Sequence, residues 1–99
     1  MQKMKTRTEA IQEAELRVTN TLHDSVRDAI DLVNSYLYLI PLHGSVEVKI
    51  EGSLYRNIHR MKIVQTFTDE VKKVLANNGW TLTKISDSSA GKYILLTVQ

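Results

Sequence analysis

The sequence predicts an α+β domain in which a long N-terminal helix precedes a β-α-β-β unit. Three observations predict this fold class: a helical stripe of apolar residues through the first part of the chain, a second helical stripe after a short alternating segment, and two strand-like segments around a polar loop at the end. The 99 residues are 42% hydrophobic and 24% charged, as in an ordinary globular domain. We therefore expect one domain over residues 1–99.

The first helix is predicted over residues 6–40. Its apolar residues recur every three or four positions and share one helix face, which we call the stripe: Ile11, Ala14, Val18, Leu22, Val26, Ala29, Ile30, Val33, Leu37 and Ile40. A helix of this length would span roughly 50 Å, whereas a compact domain of this size has a radius of gyration of about 13 Å. The helix is therefore expected either to fold back on its own sheet or to meet another chain.

Capping residues and proline predict where this helix begins and ends. Thr6 and Glu9 have the spacing of a capping box, which satisfies backbone N–H groups at a helix start. Pro41 disfavours helical geometry at Ile40, so the helix should end there or just before. A run of weak helix formers allows a kink near residues 19–25.

A strand and a second helix are predicted next. Apolar and charged residues alternate over residues 45–51, the period of a half-buried strand. A helical stripe then runs over residues 53–78 and ends in an Asn-Asn-Gly sequence that tolerates a left-handed cap. One alternative stays open, because residues 61–68 are rich in β-branched side chains and would suit a strand, with a short helix over residues 69–77.

The chain ends in a predicted hairpin. Two strands over residues 80–86 and 92–98 flank a five-residue polar loop with Gly near its end. The last strand is nearly continuous in apolar residues, which is typical of a strand covered on both faces. It should lie between the other two strands, which predicts a small antiparallel or mixed three-stranded sheet with strand order 1-3-2.

The sequence carries no signature of catalysis, of a metal site or of a cofactor. It has no cysteine, and its three histidines share no helical ligand spacing. No nucleophile has a base and an orienting group at a recognisable spacing, so we expect a protein that is not an enzyme and binds no metal or cofactor. Without cysteines or an apolar run long enough to cross a bilayer, it is expected in the cytoplasm and away from membranes.

Charge is distributed unevenly and indicates one candidate ligand site. Residues 1–51 contain six basic and eight acidic residues, whereas residues 52–99 contain seven and three. The basic half suggests an anionic partner. The residues that could bind a phosphate at the start of the second helix, with an aromatic ring for stacking, are Ser53, Tyr55, Arg56, His59, Arg60 and Lys62.

Two functional hypotheses follow. The first is a non-enzymatic, homo-oligomeric binding protein that recognises nucleic acid or a nucleotide through the basic start of the second helix. The second is a protein interaction module, an inhibitor or adaptor, that covers a protein target with the apolar end of the first helix. The interface residues predicted on the first helix are Val26, Ile30, Val33, Tyr36, Leu37, Tyr38 and Ile40.

Overall fold

Helices precede, interrupt and cover a small sheet in the computed structural model, which describes residues 4–99. Its elements in chain order are α1 (Arg7–Asn34), a 3₁₀ turn (Leu37–Leu39), α2 (Ile40–His43), β1 (Val46–Glu51), α3 (Gly52–Arg60), α4 (Val64–Asn77), β2 (Leu82–Ser88) and β3 (Tyr93–Val98). This arrangement confirms the α+β class and the long N-terminal helix.

The three strands form an antiparallel sheet in the order β1-β3-β2, which confirms the predicted topology. Along β3, Ile94, Leu96 and Val98 are buried, whereas the residues between them are only half-buried. The prediction that this strand is covered on both faces is therefore wrong. In an antiparallel sheet a central strand can have one face toward the helices and the other toward water, even when both faces carry apolar residues.

The core lies between the buried face of the sheet and the helices. Ile58 of α3 and Phe67 and Val71 of α4 are fully buried with the inward-facing residues of β1 and β3. Helix α1 adds Ala29 and Val33 to this core. Both come from the last part of α1, and the earlier residues Val18 and Leu22 pack against the core only as partly buried side chains.

Helix α1 is continuous from Arg7 to Asn34, without the break considered near residues 19–25. It begins as predicted, because the hydroxyl of Thr6 accepts a hydrogen bond from the backbone N–H of Glu9 at 3.2 Å. The predicted end near Ile40 is wrong. Helix α1 ends at Asn34, and Pro41 instead lies in the first turn of the separate helix α2, where a missing N–H costs nothing.

The predicted helix over residues 53–78 is two helices, because Lys62 has a φ of 57° and ends α3. The N–H of Ile63 donates to the carbonyl of Ile58 at 3.1 Å, and the N–H of Lys62 donates to that of His59 at 3.1 Å. These two bonds are the Schellman pattern that usually has Gly in the left-handed position. The alternative strand over residues 61–68 is also wrong, since α4 begins at Val64.

The hairpin is confirmed, although β2 begins two residues later than predicted, at Leu82. The reason lies at the end of α4, where Gly79 has a φ of 84° and the N–H of Trp80 donates to the carbonyl of Leu75 at 2.8 Å. Trp80 therefore completes a helix cap instead of starting a strand. At the other end, β2 continues through Ser88 and shortens the predicted loop.

The molecule is elongated, with principal extents of 63 × 31 × 19 Å and a radius of gyration of 16.3 Å. A compact domain of this length would have a radius of gyration of about 13 Å. The first part of α1 accounts for the elongation, because its side chains are largely exposed where the later part of the helix is packed on α3 and α4.

Candidate functional site

The predicted phosphate site at the start of the second helix is not assembled as expected. Because α3 ends at Arg60, His59 and Arg60 lie in its last turn. Cations are favourable at the C-terminal end of a helix dipole, so His59 and Arg60 are stable there without a bound anion. Lys62 lies beyond the same end of α3, one helix length away from Ser53.

Tyr55 and His59 are engaged inside the fold. Tyr55 is 7% exposed and its ring lies 4.2 Å from the His59 ring, centroid to centroid, with a tilt of 38°. Nε2 of His59 lies 3.2 Å from Oδ2 of Asp87, although the alignment is too poor for a hydrogen bond. The pair therefore joins α3 to β2, and Tyr55 belongs to the core and is not free to stack on a ligand.

Ser53 faces a different part of the surface. It lines a small cavity of 160 Å³ between α1 and α3, together with Asp24, Asp28 and Asn57. Two carboxylates at this position repel an anion. Ser53 is therefore separated from the basic residues with which the sequence grouped it.

Arg56 does line an open cavity of 460 Å³, which we call the cleft. The cleft lies between the start of α3 and the β2–β3 turn, and Lys92 is its second basic residue. A Cβ at Gly91 would overlap the Tyr93 ring, so a side chain at this position would not fit without a shift of that ring. Lys92 was not among the predicted residues, because only the tertiary fold brings the hairpin turn next to α3.

The predicted interface residues divide into three groups. Val33 is fully buried in the core, and Leu37 and Ile40 pack against it. Tyr36 and Tyr38 are 40% and 68% exposed, on the segment that follows α1. The remaining two, Val26 and Ile30, are half-buried at the boundary between α1 and α4.

Val26 and Ile30 line an apolar groove of 440 Å³ between α1 and α4. Leu22 and Val74 complete the apolar part of the groove. Its charged or polar lining consists of His23, Arg27, Asp31 and Glu70. Helices α1 and α4 run side by side in the same direction. Ile30 and Val74 line both the groove and a neighbouring cavity, and that cavity is also lined by Asn34 and Asn78, which lie one turn further along each helix.

The first part of α1, residues 7–20, extends the stripe beyond the groove, and we call it the arm. Ile11 is 50% exposed and Ala14 is exposed, whereas Val18 is half-buried at the edge of the domain. Leu16 is 61% exposed but lies off the stripe, roughly 140° around the helix from Ile11. The arm therefore presents an apolar line on the same helix face that, further along, packs into the core.

Ion pairs support the helical conformation of the arm. Glu13 pairs with Lys5 and, at 3.0 Å, with Arg17 one turn further along. The hydrogen bond and the charge of Lys5 lower the pKa of the Glu13 carboxyl from its usual value, and Arg17 adds to this effect. These pairs are exposed, so they stabilise the arm only weakly.

Within residues 4–99, no three His, Cys, Asp or Glu side chains are grouped so that they could hold a metal ion. In the same range, no helix combines the length and the apolar character that a bilayer crossing requires. Comparison of the chain with known protein families, curated proteins and solved structures finds no match.

Proposed function

We propose that this chain is a non-enzymatic protein that assembles with copies of itself through α1. The observation that carries the proposal is the course of the stripe, which enters the core at Ala29 and Val33 but is exposed at Ile11. Apolar residues on one line of a helix stabilise a protein only when that line is covered. We place the assembly in the cytoplasm, in keeping with the cysteine-free composition.

The amount of exposed surface supports this proposal. The chain has an accessible surface of 7040 Å² for a mass of 11.3 kDa. A compact monomer of this mass would expose roughly 5,700 Å². The surplus of about 1,300 Å² exceeds the roughly 800 Å² that each partner contributes to a standard protein interface. An elongated monomer would keep this surface in water, whereas pairing through α1 would bury the part of it that lies on that helix.

Sedimentation velocity over a range of concentrations tests the proposal. We expect the wild-type chain to sediment as a dimer or larger assembly and the Ile11→Asp variant to dissociate at concentrations about tenfold higher or more. Leu16→Asp is the matched control, because it places the same charge on the same exposed part of the helix but off the stripe. A wild-type monomer at all concentrations, or equal effects of the two variants, would contradict the proposal.

A second candidate function is binding of a phosphate-bearing ligand, a nucleotide or nucleic acid, in the cleft. The observation that favours it is the convergence of Arg56 and Lys92, from separate elements, on one open cavity, where they outnumber the single carboxylate of Glu51. Guanidinium and ammonium groups are the usual protein partners of phosphate. Retention on heparin or on a nucleotide resin should fall in Arg56→Ala and Lys92→Ala, and it should weaken steeply with salt.

The control for this experiment is Arg60→Ala. Arg60 carries the same charge on the same helix but lies at the opposite end of α3 from the cleft. Equal loss of retention in Arg56→Ala and Arg60→Ala would indicate binding to general positive charge and would count against a site in the cleft.

A further inference from the structure

We infer that the outer edge of β2 pairs with the same edge of a second copy, as antiparallel strands about a two-fold axis at Ile85. This contact goes beyond the one proposed for α1, because it uses the hairpin and no residue of that helix. Every residue from Thr83 to Asp87 is exposed. Within residues 4–99, no further strand pairs with β2 on its outer side.

The other edge of the sheet, at β1, is covered differently. Buried and exposed residues alternate along β1. The cavity of 340 Å³ beside this edge is lined by Leu32 of α1 and by Tyr36, which follows that helix. Placing a helix beside an edge strand is a common way to prevent it from pairing with another chain. The edge that remains open to a further strand is therefore that of β2.

Backbone hydrogen bonds indicate which groups of β2 point toward the open edge. Thr81 and Gln99 exchange two backbone hydrogen bonds at 2.8 Å. Because bonded and non-bonded pairs alternate along an antiparallel ladder, Thr97 also bonds toward β2, where its register partner is Lys84. The N–H and C=O of the next residue, Ile85, therefore point away from β3. Unpaired backbone groups of this kind are a template for a further strand.

The side chain of Ile85 supports an axis at this residue. Its register partner Leu96 is buried on the side of the sheet that faces the helices, so Ile85 lies on that side as well. Ile85 is nevertheless 43% exposed, at the centre of the open edge. In the proposed pair it lies opposite its own copy, and each isoleucine covers the other.

The charged residues of β2 favour the same register. With the axis at Ile85, Lys84 lies opposite Ser86 of the second copy and Asp87 lies opposite Thr83, so that no like charges face each other. An axis at Lys84 would place two lysines opposite each other. An axis at Ser86 would place the Asp87 carboxylate against the apolar Ile85 side chain.

The contact should be weak when it acts alone. Two strands of this length bury less than the roughly 1,200 Å² at the lower end of standard protein interfaces. We therefore expect the pair to form at high protein concentration, or between copies that α1 has already brought into an assembly.

Disulfide cross-linking tests the register, since the chain has no cysteine of its own. An equimolar mixture of Lys84→Cys and Ser86→Cys chains places two thiols directly opposite each other, with Cα atoms about 4.5 Å apart. In either variant alone the thiols lie diagonally, about 7–8 Å apart, which is beyond the usual reach of a disulfide. Under mild oxidation at high protein concentration, we expect about tenfold more covalent dimer from the mixture.

Proline substitutions test the direction of the backbone groups. Ile85→Pro removes an N–H that points outward, which an edge strand tolerates, so the fold should be retained and the cross-link lost. Ser86→Pro is the matched control, because its N–H is directed at β3 and its loss should lower the melting temperature by about 4–8 °C or more. Ile85→Lys places two ammonium groups at the axis without constraining the backbone and should also abolish the cross-link.

Failure of this contact and failure of the α1 contact give different results. The selective cross-link should persist in chains that also carry Ile11→Asp. Equal cross-linking in the mixture and in the single variants, no cross-linking at all, or a cross-link insensitive to Ile85→Lys would each overturn the inference. A selective cross-link together with unchanged sedimentation of Ile11→Asp would contradict the proposal for α1 and support the contact through β2.

Discussion

The two parts of helix α1 carry the same sequence pattern but have different environments. From Ser25 onward the helix packs on α3 and α4, and Ala29 and Val33 are fully buried. In the arm, residues at equivalent positions of the stripe are exposed, with Ile11 at 50%. Periodicity therefore identifies the face of a helix that needs to be covered but does not identify the molecule that covers it.

The two parts of α1 are also stabilised by different interactions. The arm is supported by exposed ion pairs around Glu13, which contribute little to stability. The later part is supported by tertiary packing, which is the main source of helix stability in proteins. The arm should therefore be the less stable part of α1 until a second copy covers it.

A charge placed in the packed part of α1 should lower the free energy of unfolding far more than a charge placed in the arm. Val33→Asp would place an unpaired carboxylate in the core, at a cost of about 3–5 kcal/mol against a typical unfolding free energy of about 5–15 kcal/mol. We expect it to abolish or severely weaken the cooperative thermal transition. Ile11→Asp should leave the unfolding free energy of the dilute monomer within about 0.5 kcal/mol of wild type. Similar losses in both variants would show that the arm is part of the core.

A proline at the boundary between the arm and the packed part of α1 should abolish self-association without unfolding the domain. Asn20→Pro would cost about 3 kcal/mol within a helix and should interrupt α1 between the arm and the packed part. Because the core begins beyond this position, we expect the domain still to unfold cooperatively while self-association is lost in sedimentation. Unchanged association would indicate that the assembly does not depend on a continuous α1.

Hydrogen exchange should show a gradient along α1. Backbone amides of residues 10–20 should exchange with opening free energies near zero at low concentration, whereas those of residues 29–33 should approach the global unfolding free energy. Raising the protein concentration should protect the arm selectively, because assembly covers only that part. Equal protection of both parts in a dilute sample would contradict the difference that the structure shows.

The smallest expected effect is a pH dependence of the arm. The pKa of Glu13 is lowered in the folded chain by its pairs with Lys5 and Arg17, so its contribution to stability is fully present above the unfolded pKa and is lost as the pH falls through the lowered value. We expect a slight loss of helicity in acid, measured by circular dichroism, that is smaller in Glu13→Gln. Because Glu13 is exposed, the change should be minor and should diminish further in high salt.

Much of the fold could be predicted from the sequence, because its signals are local. The capping box at Thr6, the alternation over β1 and the hairpin chemistry each depend on residues close in the chain. The strand order followed from chain connectivity once the hairpin was recognised. Local signals failed at Lys62, because a lysine in the left-handed position of a helix end is indistinguishable in sequence from a lysine on the helix surface.

The candidate site was less predictable, because it depends on elements distant in the chain. Arg56 was identified from its charge, but its partner Lys92 is brought beside it by the packing of the hairpin turn against α3. His59 and Tyr55 looked available in sequence and are engaged with each other in the fold. Residue type indicates which side chains can bind a phosphate, but the tertiary contacts determine which of those side chains remain free to bind it.

The secondary-structure types and the apolar face of α1 could be derived from the sequence alone, since they depend on the short-range periodicity of the chain, and the sheet order then followed from its connectivity. Three features depend on tertiary packing: the residue at which α1 ends, the division of residues 53–78 into two helices, and the part of the stripe that the domain covers. An apolar helix face indicates that burial of this face is favourable. The length of helix that becomes buried depends on the size of the sheet and of the helices against which the helix packs. In this chain those elements reach only the later part of α1, and the arm extends beyond them.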